Sequence, residues 1–220
     1  MGKLESNKRK KKEALYNTAF ELFTTKGLAK TTISDIVEKA GVAKGTFYLY
    51  FKDKYDIRNK LVSHKAGQLF FDAHEALIKT GLTGFENQLY FILDHILDRL
   101  EKDHSLLHFI SKNLSWGVFK NAFDEKMPDG DYHFYQSYLQ LLNQSSHSYR
   151  NPELMLFTIV ELVGATCYSC ILYEQPVPLS EYRDYLYKAV DGILRSFCKD
   201  TPTDFPAENN DPQASDNEPL

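Results

Sequence analysis

Two short amphipathic segments separated by a glycine turn constrain the fold of this chain more than any other feature. In the first segment, apolar residues recur at the 3.6-residue period of a helix, namely Ile33, Ile36, Val37 and Ala40. Thr31 and Thr32 offer an N-cap before this segment, and Gly41 ends it and supplies the turn. Residues 43–51 are expected to form a second short helix. This arrangement is typical of a helix-turn-helix, in which the second helix faces DNA.

The second short helix has a core-facing side and an outward side when its residues are placed at intervals of about 100°. The side predicted to face the core carries Ala43, Phe47, Tyr50 and Phe51. Gly45 and Leu49 point the opposite way. Glycine inside a helix costs about 1 kcal/mol relative to alanine, so its presence needs a reason. Without a side chain there, the free N–H groups of the helix start can approach a phosphate or the floor of a groove closely.

Charge is divided unevenly along the chain, whose formal net charge is −4. Residues 1–65 hold 15 Lys/Arg against 7 Asp/Glu, whereas the other 155 residues hold 11 against 23. A basic cluster, Lys8-Arg9-Lys10-Lys11-Lys12, stands near the start. This asymmetry is typical of a module that binds a polyanion, and the cluster can lie along DNA as a basic arm. A solvated, solubilising amino end is the alternative.

The rest of the chain is also predicted to be helical, because no segment shows a persuasive two-residue period. Long helices are expected over residues 54–79, 84–102, 153–174 and 180–199, and shorter ones over 8–23, 104–116 and 132–143. Asp53 and Ser180 are suitable N-caps for two of these helices. Residues 117–131 mix glycine, proline and charge, which predicts a short helix plus a loop. The fold class is therefore all-α.

The helical pattern divides into a head (residues 8–65) and a body (residues 66–199). The head is expected to hold three short helices and the start of a long one, with the helix-turn-helix at about residues 32–51. Residues 200–220 form an acidic tail with six acids, four prolines and no Lys or Arg, a composition that predicts disorder.

The string TTISDIVEKAGVAKGTFYLYFKDKYDI, residues 31–57, resembles the amino-terminal domain of TetR-family transcriptional regulators, and the match extends back through AFELFTTKG at residues 19–27. The resemblance implies a homodimer that binds a palindromic double-stranded DNA operator and usually represses transcription, with activation as an alternative. The DNA contacts that it implies fall at Thr32, Lys44, Gly45, Thr46, Tyr48, Tyr50 and Lys54. Leu49 departs from the pattern, because many members carry an aromatic ring there, and this leaves the base preference open.

The last two long helices are predicted to pack against their mates in a four-helix dimer interface, as the resemblance implies. Small residues permit close approach and apolar residues supply area. The residues assigned to this interface are Leu156, Val160, Val163, Gly164, Cys167, Ile171, Tyr182, Leu186, Ala189 and Ile193. Packing within one protomer is the alternative.

Residues 154–173 are long enough to span a bilayer and hold a single charge, Glu161. That charge near the middle, and the lack of flanking Lys or Arg, favour a buried helix instead. No membrane partner is therefore expected.

The middle helices are rich in aromatic residues, and the resemblance implies an effector cavity among them. A small aromatic or lipophilic molecule would suit such a cavity. The residues assigned to this pocket are Phe70, Phe91, His95, Trp116, Tyr138 and Glu161. The alternatives are that each ring belongs to the ordinary core and that Glu161 makes a polar contact across the dimer.

No enzyme motif is present: the chain lacks G-x-S-x-G, a phosphate-binding glycine-rich loop and H-E-x-x-H. His104 and His108 have the spacing of a metal pair but no third ligand nearby in sequence, and Cys167-x-x-Cys170 lies within an apolar helix. We therefore predict no catalytic residues, no metal and no cofactor. Three cysteines without a secretory segment favour the reducing cytoplasm. The alternative function is a related module that binds a ligand or protein without an operator role.

Overall fold

The computed structural model describes residues 3–120 and 134–200, and this part of the chain is built from ten α-helices. Their bounds are α1 Lys3–Thr25, α2 Ile33–Lys39, α3 Lys44–Tyr48, α4 Lys54–Ile78, α5 Phe85–Lys102, α6 His104–Asn113, α7 Trp116–Lys120, α8 Phe134–Leu142, α9 Pro152–Leu172 and α10 Leu179–Phe197. No strand occurs among these residues beyond one isolated bridge, between Tyr149 and Cys198. The all-α prediction is confirmed.

The head folds around its own apolar cluster, which α1 to α3 and the first turns of α4 supply. The most deeply buried members include Leu15, Ile36, Phe47, Ile57 and Leu61, which are fully inaccessible to solvent. The glycines at positions 27 and 41 end the helices before them with positive φ, where a side chain would be strained. Because α4 completes this cluster, the head has no core of its own without that helix.

The local signals at the helix starts in the head act as predicted. Thr32 and Asp35 form a reciprocal capping box at the start of α2, and the Asp53 carboxylate accepts the backbone N–H groups of Tyr55 and Asp56 at the start of α4. The second short helix is shorter than expected. It spans five residues instead of residues 43–51, because a turn at Leu49 and Tyr50 leads into the Asp53 cap. Ala43 is consequently exposed, which corrects its predicted place in the core.

The body packs α5, α8, α9 and α10 around the second half of α4. Its core includes Phe85, Leu97, Met155, Leu186 and Val190, all without solvent exposure. Side-chain hydrogen bonds join α5 to α10 at the surface of this core, from Tyr90 to Asp191 and from Arg183 to Asp94. These contacts fix which side of α10 faces inward.

Several predicted boundaries in the body shift. The segment 104–116 divides into α6 and the start of α7, and the last helix begins at Leu179 after Pro178 instead of being capped by Ser180. Most of the predicted short helix plus loop at residues 117–131, and the tail beyond residue 200, lie outside the described residues. The predicted division at residues 65 and 66 falls inside the continuous helix α4.

Head and body also touch through aromatic side chains. The ring of Phe109 on α6 contacts Phe20 edge-on at 5.3 Å and stacks on Phe23 at 6.5 Å, both on α1. The Ser63 hydroxyl on α4 donates to the Val118 carbonyl oxygen at 2.7 Å. The head therefore cannot rotate against the body without disturbing α6 or α7.

Within the described ranges, α9 is the one helix that is long and apolar enough to cross a membrane. Core helices of soluble proteins can have the same length and composition. Only 33% of the most apolar stretch of α9 is buried inside the protomer. Leu154 is 49% exposed, and Glu161 and Gly164 are also exposed. One side of α9 thus lies on the protomer surface.

Candidate nucleic-acid interface

Helix α3 presents a continuous outward surface. Leu49 is 79% exposed and Tyr48 is 53% exposed, while Lys44 and Gly45 are also exposed. Phe47 lies on the opposite side and is fully buried. Large apolar groups left in water on one side of a buried anchor mark an interaction surface. The predicted outward direction of Gly45 and Leu49 is confirmed.

Gly45 is not required by the packing of the protein itself. Its φ is negative, and a Cβ atom built at this position meets nothing within 4 Å. Alanine would therefore fit the folded chain and favour the helix. The open space at Gly45 is consistent with an external body, such as a DNA backbone, that approaches the helix start closely.

Thr32 lies at the exposed start of α2 and is held by the capping box. Its hydroxyl oxygen accepts the Asp35 N–H at 3.1 Å, and its own N–H donates to the Asp35 carboxylate at 2.8 Å. The Lys26 ammonium lies 2.8 Å from the same carboxylate. The hydrogen bond from Lys26, followed by those from Thr32, lowers the pKa of Asp35 to about 2. This network fixes the start of α2.

Tyr50 joins the turn after α3 to α1. Its hydroxyl donates to the Lys8 backbone carbonyl oxygen at 3.2 Å, and its ring packs beside Phe51. Lys8 is the first residue of the basic cluster, whose side chains are exposed up to Lys11. The basic cluster and α3 are therefore held next to one another.

Lys54 has a different environment from the one predicted. Its ammonium donates to three backbone carbonyl oxygens in the turn between α1 and α2, those of Leu28, Ala29 and Thr31, at 3.0, 3.2 and 3.3 Å. An ammonium has three N–H donors, so all of them are engaged. The structure thus gives Lys54 the role of positioning the turn that precedes α2.

A family model described as bacterial regulatory proteins, tetR family, matches residues 15–61. The fatty acid metabolism regulator protein of Bacillus subtilis (strain 168) is 38% identical over 99 residues, covering 45% of this chain and 50% of that protein. An HTH-type transcriptional regulator of Staphylococcus aureus (strain MRSA252) is 29% identical over 193 residues, covering 83% of this chain and 97% of that protein. The amino-terminal part of the chain therefore carries a tetR-type domain, and most of the chain is similar to an HTH-type transcriptional regulator.

Solved TetR-type structures share the architecture over most of their length. FadR from Bacillus halodurans matches with a TM-score of 0.60 at 18% identity, covering 82% of this chain and 97% of that one. FadR from Bacillus subtilis in complex with stearoyl-CoA matches with a TM-score of 0.56 at 19% identity, covering 81% and 96%. This likeness confirms the predicted fold of a helix-turn-helix head on a helical body. By sequence, the chain spans only about half the length of the B. subtilis fatty acid regulator that it matches.

The residues assigned to the dimer interface separate into two groups in the protomer. Four of them belong to the core of the protomer itself, which corrects their assignment, because a buried side chain offers no surface to a second chain: Leu156, Cys167, Ile171 and Leu186. Gly164 and Ala189 are exposed, and the others are half-buried: Val160, Val163, Tyr182 and Ile193. Tyr185 on α10 is a further large side chain on the protomer surface, 61% exposed.

The residues assigned to the effector pocket do not line one cavity. Phe70 and Tyr138 do share a cavity, but its volume is only about 40 Å³, because Phe70 packs against Phe134 with ring centroids 4.2 Å apart. That space is close to the share of a single water molecule, roughly 30 Å³. Trp116 lines a separate surface groove beside Phe157.

The other three residues assigned to that pocket lie on two different helices. Phe91 and His95 stack on one another along α5 with centroids 6.2 Å apart. Glu161 is exposed on α9. An exposed carboxylate on α9 cannot line a closed cavity within the protomer, which corrects its assignment.

A cavity of about 760 Å³ lies instead at the junction of head and body. We call it the junction cleft. Its walls come from the end of α1 and the following turn, from α4, from α6 and from the end of α9. Its basic and imidazole side chains are Lys26, Arg58, His104, His108 and Lys112, and its aromatic ones are Phe23, Phe109 and Tyr173. None of the described residues that line it is acidic, although the chain as a whole holds more acids than bases.

The junction cleft could not be predicted from the sequence, because its lining residues come from segments that are far apart along the chain. The spacing of His104 and His108 indicated a shared helix side correctly, but suggested a metal pair. In the structure the His108 Nδ1 atom is hydrogen-bonded to the Tyr168 hydroxyl at 2.9 Å. Lys112 lies one turn further along the same helix. His104, His108 and Lys112 follow one another at intervals of four residues, which places them on the same side of α6. This repeat is the sequence feature that could have indicated an anion site.

The cysteine pair in α9 is structural in character. Cys167 and Cys170 are buried free thiols, and burial raises the pKa of Cys167 to about 11. A thiol with so high a pKa is a poor nucleophile near neutral pH. This environment agrees with the interpretation of the pair as packing residues.

Proposed function

We propose that this protein is a sequence-specific DNA-binding regulator of the TetR family that represses transcription as a homodimer and is released from a palindromic operator by a small-molecule effector. The observation that carries the proposal is the exposed outward surface of α3, next to the basic cluster. Lys44, Gly45, Thr46 and Tyr48 are its proposed DNA contacts on α3, with Thr32 at the start of α2 and Tyr50 behind them. It acts in the cytoplasm and is not an enzyme.

The DNA proposal is tested by selecting bound fragments from a random duplex pool and measuring the affinity of the selected site at several salt concentrations. A dimer with 6–10 phosphate contacts loses about 10³–10⁵ in affinity between 50 and 200 mM salt. The double variant Lys44→Ala, Tyr48→Ala should abolish the selected binding. The matched control Lys102→Ala, Leu82→Ala removes an exposed basic and an exposed apolar residue from the body. A flat salt response, with no enriched site, would favour the module without an operator role.

The proposed dimer uses the uncovered sides of α9 and α10. Gly164, Ala189 and Tyr185 lie on these sides and are exposed in the protomer. A partner protomer would remove the apolar side of α9 from water, which explains an apolar helix of which so little is buried within one chain. A second copy fits this surface better than lipid does, because the exposed Glu161 lies near the middle of α9 and a charge there is costly in a bilayer.

The proposed effector is an amphipathic anion bound in the junction cleft. The aromatic wall suits an apolar chain or ring, and the basic side chains suit a carboxylate or phosphate. The B. subtilis FadR structure carries stearoyl-CoA, a ligand of this chemical type. Stearoyl-CoA, stearate and coenzyme A are therefore the first compounds to titrate against the protein–operator complex. If stearoyl-CoA releases the operator but stearate and coenzyme A do not, binding requires both the acyl chain and the phosphate groups.

The cleft explains how an effector can influence the head. Phe23 belongs to α1 and Lys26 directly follows that helix, whereas His104 and Lys112 belong to α6, so a ligand that touches both groups changes the angle between head and body. Two heads must lie about 34–36 Å apart to enter successive major grooves. An effector acts by its higher affinity for the state in which this spacing is lost.

The cleft assignment is tested with Lys112→Glu, which reverses one charge on its wall. The variant should bind the operator normally but need at least about tenfold more effector for release, since one charge-assisted contact contributes roughly 1.5–3 kcal/mol. Lys102→Glu, on the neighbouring helix α5, is the matched control. Unchanged effector sensitivity in Lys112→Glu would locate the effector elsewhere and leave the DNA proposal intact.

A further inference from the structure

Three side chains with metal-ligand chemistry meet where α10 ends. His147, Cys198 and Asp200 each offer one donor atom, and the three donor atoms lie within 4.8 Å of one another. The His147 Nδ1 atom and the Cys198 Sγ atom are each 3.9 Å from the same Asp200 carboxylate oxygen. Imidazole, thiolate and carboxylate are the three donor types that zinc sites use.

The backbone holds these donors in place. The loop from Gln144 to Arg150 runs beside the end of α10 and is joined to it by two hydrogen bonds of 2.8 Å, from the Arg150 N–H to the Phe197 carbonyl and from the Lys199 N–H to the Ser148 carbonyl. Tyr149 and Cys198 form an isolated antiparallel bridge between these bonds. A site built on two segments already paired loses little conformational freedom when an ion binds.

Side chains around the donors add further support. The His147 N–H donates to the Ser145 hydroxyl at 3.1 Å, and the Tyr149 hydroxyl donates to the Glu86 carboxylate at 3.1 Å. The Arg150 guanidinium donates to the Lys199 carbonyl oxygen at 3.2 Å. These bonds hold the two segments that carry the donors, and none of them contacts a donor group itself.

Two of the three donor–donor distances are near those of a tetrahedral ion, and the third, between His147 and Cys198, is within 4.8 Å. Bonds of about 2.3 Å to sulfur and about 2.0–2.2 Å to nitrogen or oxygen place tetrahedral donors about 3.3–3.6 Å apart. The two distances of 3.9 Å exceed this range by a few tenths of an ångström. Cys198 is buried, whereas His147 and Asp200 are exposed, so the cluster has one protected soft ligand and an open approach from solvent.

We propose that His147, Cys198 and Asp200 bind one divalent transition-metal ion of the zinc class, with water as the fourth ligand. Cysteine and histidine select such ions over magnesium or calcium, which prefer oxygen donors. The ion fastens the end of α10 to the loop that precedes α9. It therefore stabilises the ends of the two helices that the proposed dimer uses. The metal site itself does not depend on the function proposed above.

Cobalt(II) titration of the full-length, reduced and EDTA-treated protein tests the site. One equivalent of Co²⁺ should bind per chain, with the near-ultraviolet charge-transfer absorption of a cobalt–thiolate bond, and Zn²⁺ should displace it. Cys198→Ser should remove this absorption, and His147→Ala should weaken binding by more than about 100-fold, beyond the 10–100-fold that outer-shell changes produce. Cys170→Ala and His104→Ala, which remove the same residue types elsewhere, should bind Co²⁺ as the natural chain does.

A second measurement uses the natural chain alone. Zn²⁺ should slow alkylation of Cys198, quantified by peptide mass spectrometry, while leaving Cys167 and Cys170 at their own rates. Absence of cobalt–thiolate absorption, or equal Co²⁺ affinity in Cys198→Ser and the natural chain, would refute the site. Alkylation of Cys198 at the same rate with and without Zn²⁺ would also count against it, whatever the variants do.

Discussion

The Tyr50 hydroxyl donates a hydrogen bond to the Lys8 backbone carbonyl oxygen across 3.2 Å, and so ties the turn after α3 to the start of the basic cluster. The two residues are 42 positions apart. This bond holds the basic cluster, which lies within α1, close to the helix proposed to enter the major groove.

Tyr50→Phe should therefore weaken operator binding while leaving the head folded. The substitution keeps the ring and removes one hydrogen bond, which contributes about 0.5–1.5 kcal/mol, or roughly a 2- to 12-fold change in affinity. Fluorescence anisotropy with labelled operator measures the affinity, and circular dichroism checks the fold. Tyr55→Phe, on an exposed tyrosine of α4, is the control. Equal losses in both variants would show that the Tyr50–Lys8 bond has no special role in binding.

Gly45→Ala should change stability and operator affinity in opposite directions. The added methyl group meets nothing in the protein, and alanine is a better helix residue by about 1 kcal/mol, so the melting temperature should rise. The same methyl group should lower operator affinity by at least about tenfold if a phosphate or groove floor approaches this point. An unchanged affinity would mean that DNA stays clear of Gly45.

Lys44→Ala and Lys54→Ala should differ in their effects although both remove a cation from the head. Lys44 is exposed, and its loss should reduce the salt dependence of binding by about one phosphate contact with little change in stability. Lys54 donates to three carbonyl oxygens, so its loss should lower the free energy of unfolding by about 1.5–3 kcal/mol. Urea unfolding and affinity measured over a salt series separate the two effects. A reduced salt slope with normal stability for Lys54→Ala would restore its predicted DNA contact.

Asp35 should make the stability of the head sensitive to acid. Its pKa is lowered to about 2 in the folded chain from 3.8, so its contribution is present above about pH 4 and is lost as the pH falls toward 2. Asp35→Asn should therefore be less stable than the natural chain at pH 7, and the difference should shrink between pH 4 and pH 2. Urea unfolding at pH 7, 4 and 3 measures this trend. A difference that stays constant with pH would assign the loss to the capping geometry and not to the charge.

Gly164→Arg should yield a folded monomer. Gly164 is exposed in the protomer with open space around it, so the folded chain tolerates a side chain, but a close helix–helix contact would not. Analytical ultracentrifugation measures the oligomeric state of this variant and of the control Ser111→Arg, on the exposed side of α6. A dimer that survives Gly164→Arg would place the interface on another surface.

The helix-turn-helix was predictable because its signals are local. Thr32, Gly41 and Asp53 act through neighbours only a few residues away, and each behaves in the structure as its type suggests. The outward direction of Gly45 and Leu49 also follows from helix periodicity alone. The end of α3 was less predictable, because the turn that shortens it depends on where the next helix is capped.

The sites in the body depend on contacts between distant segments, which periodicity cannot supply. Leu156 and Leu186 satisfy an apolar pattern equally well in a protomer core and in a dimer interface, and only packing decides between them. The junction cleft needs α1, α4, α6 and α9 to meet, and the metal-ligand cluster needs His147 to lie beside Cys198, 51 residues later. Neither site is formed by residues at a fixed spacing along one helix, so helical periodicity could not predict it.

The continuous helix α4 has a consequence for how such a protein can be recombined. Ile57 and Leu61 complete the core of the head, whereas Ala66 and Leu77, on the same helix, belong to the core of the body. A fusion joined at the start of α4 would separate an incoming head from the α4 side chains that complete its core. Transplanting a new DNA specificity onto this body therefore calls for a junction within α4, after the residues that pack in the head and before those that pack in the body.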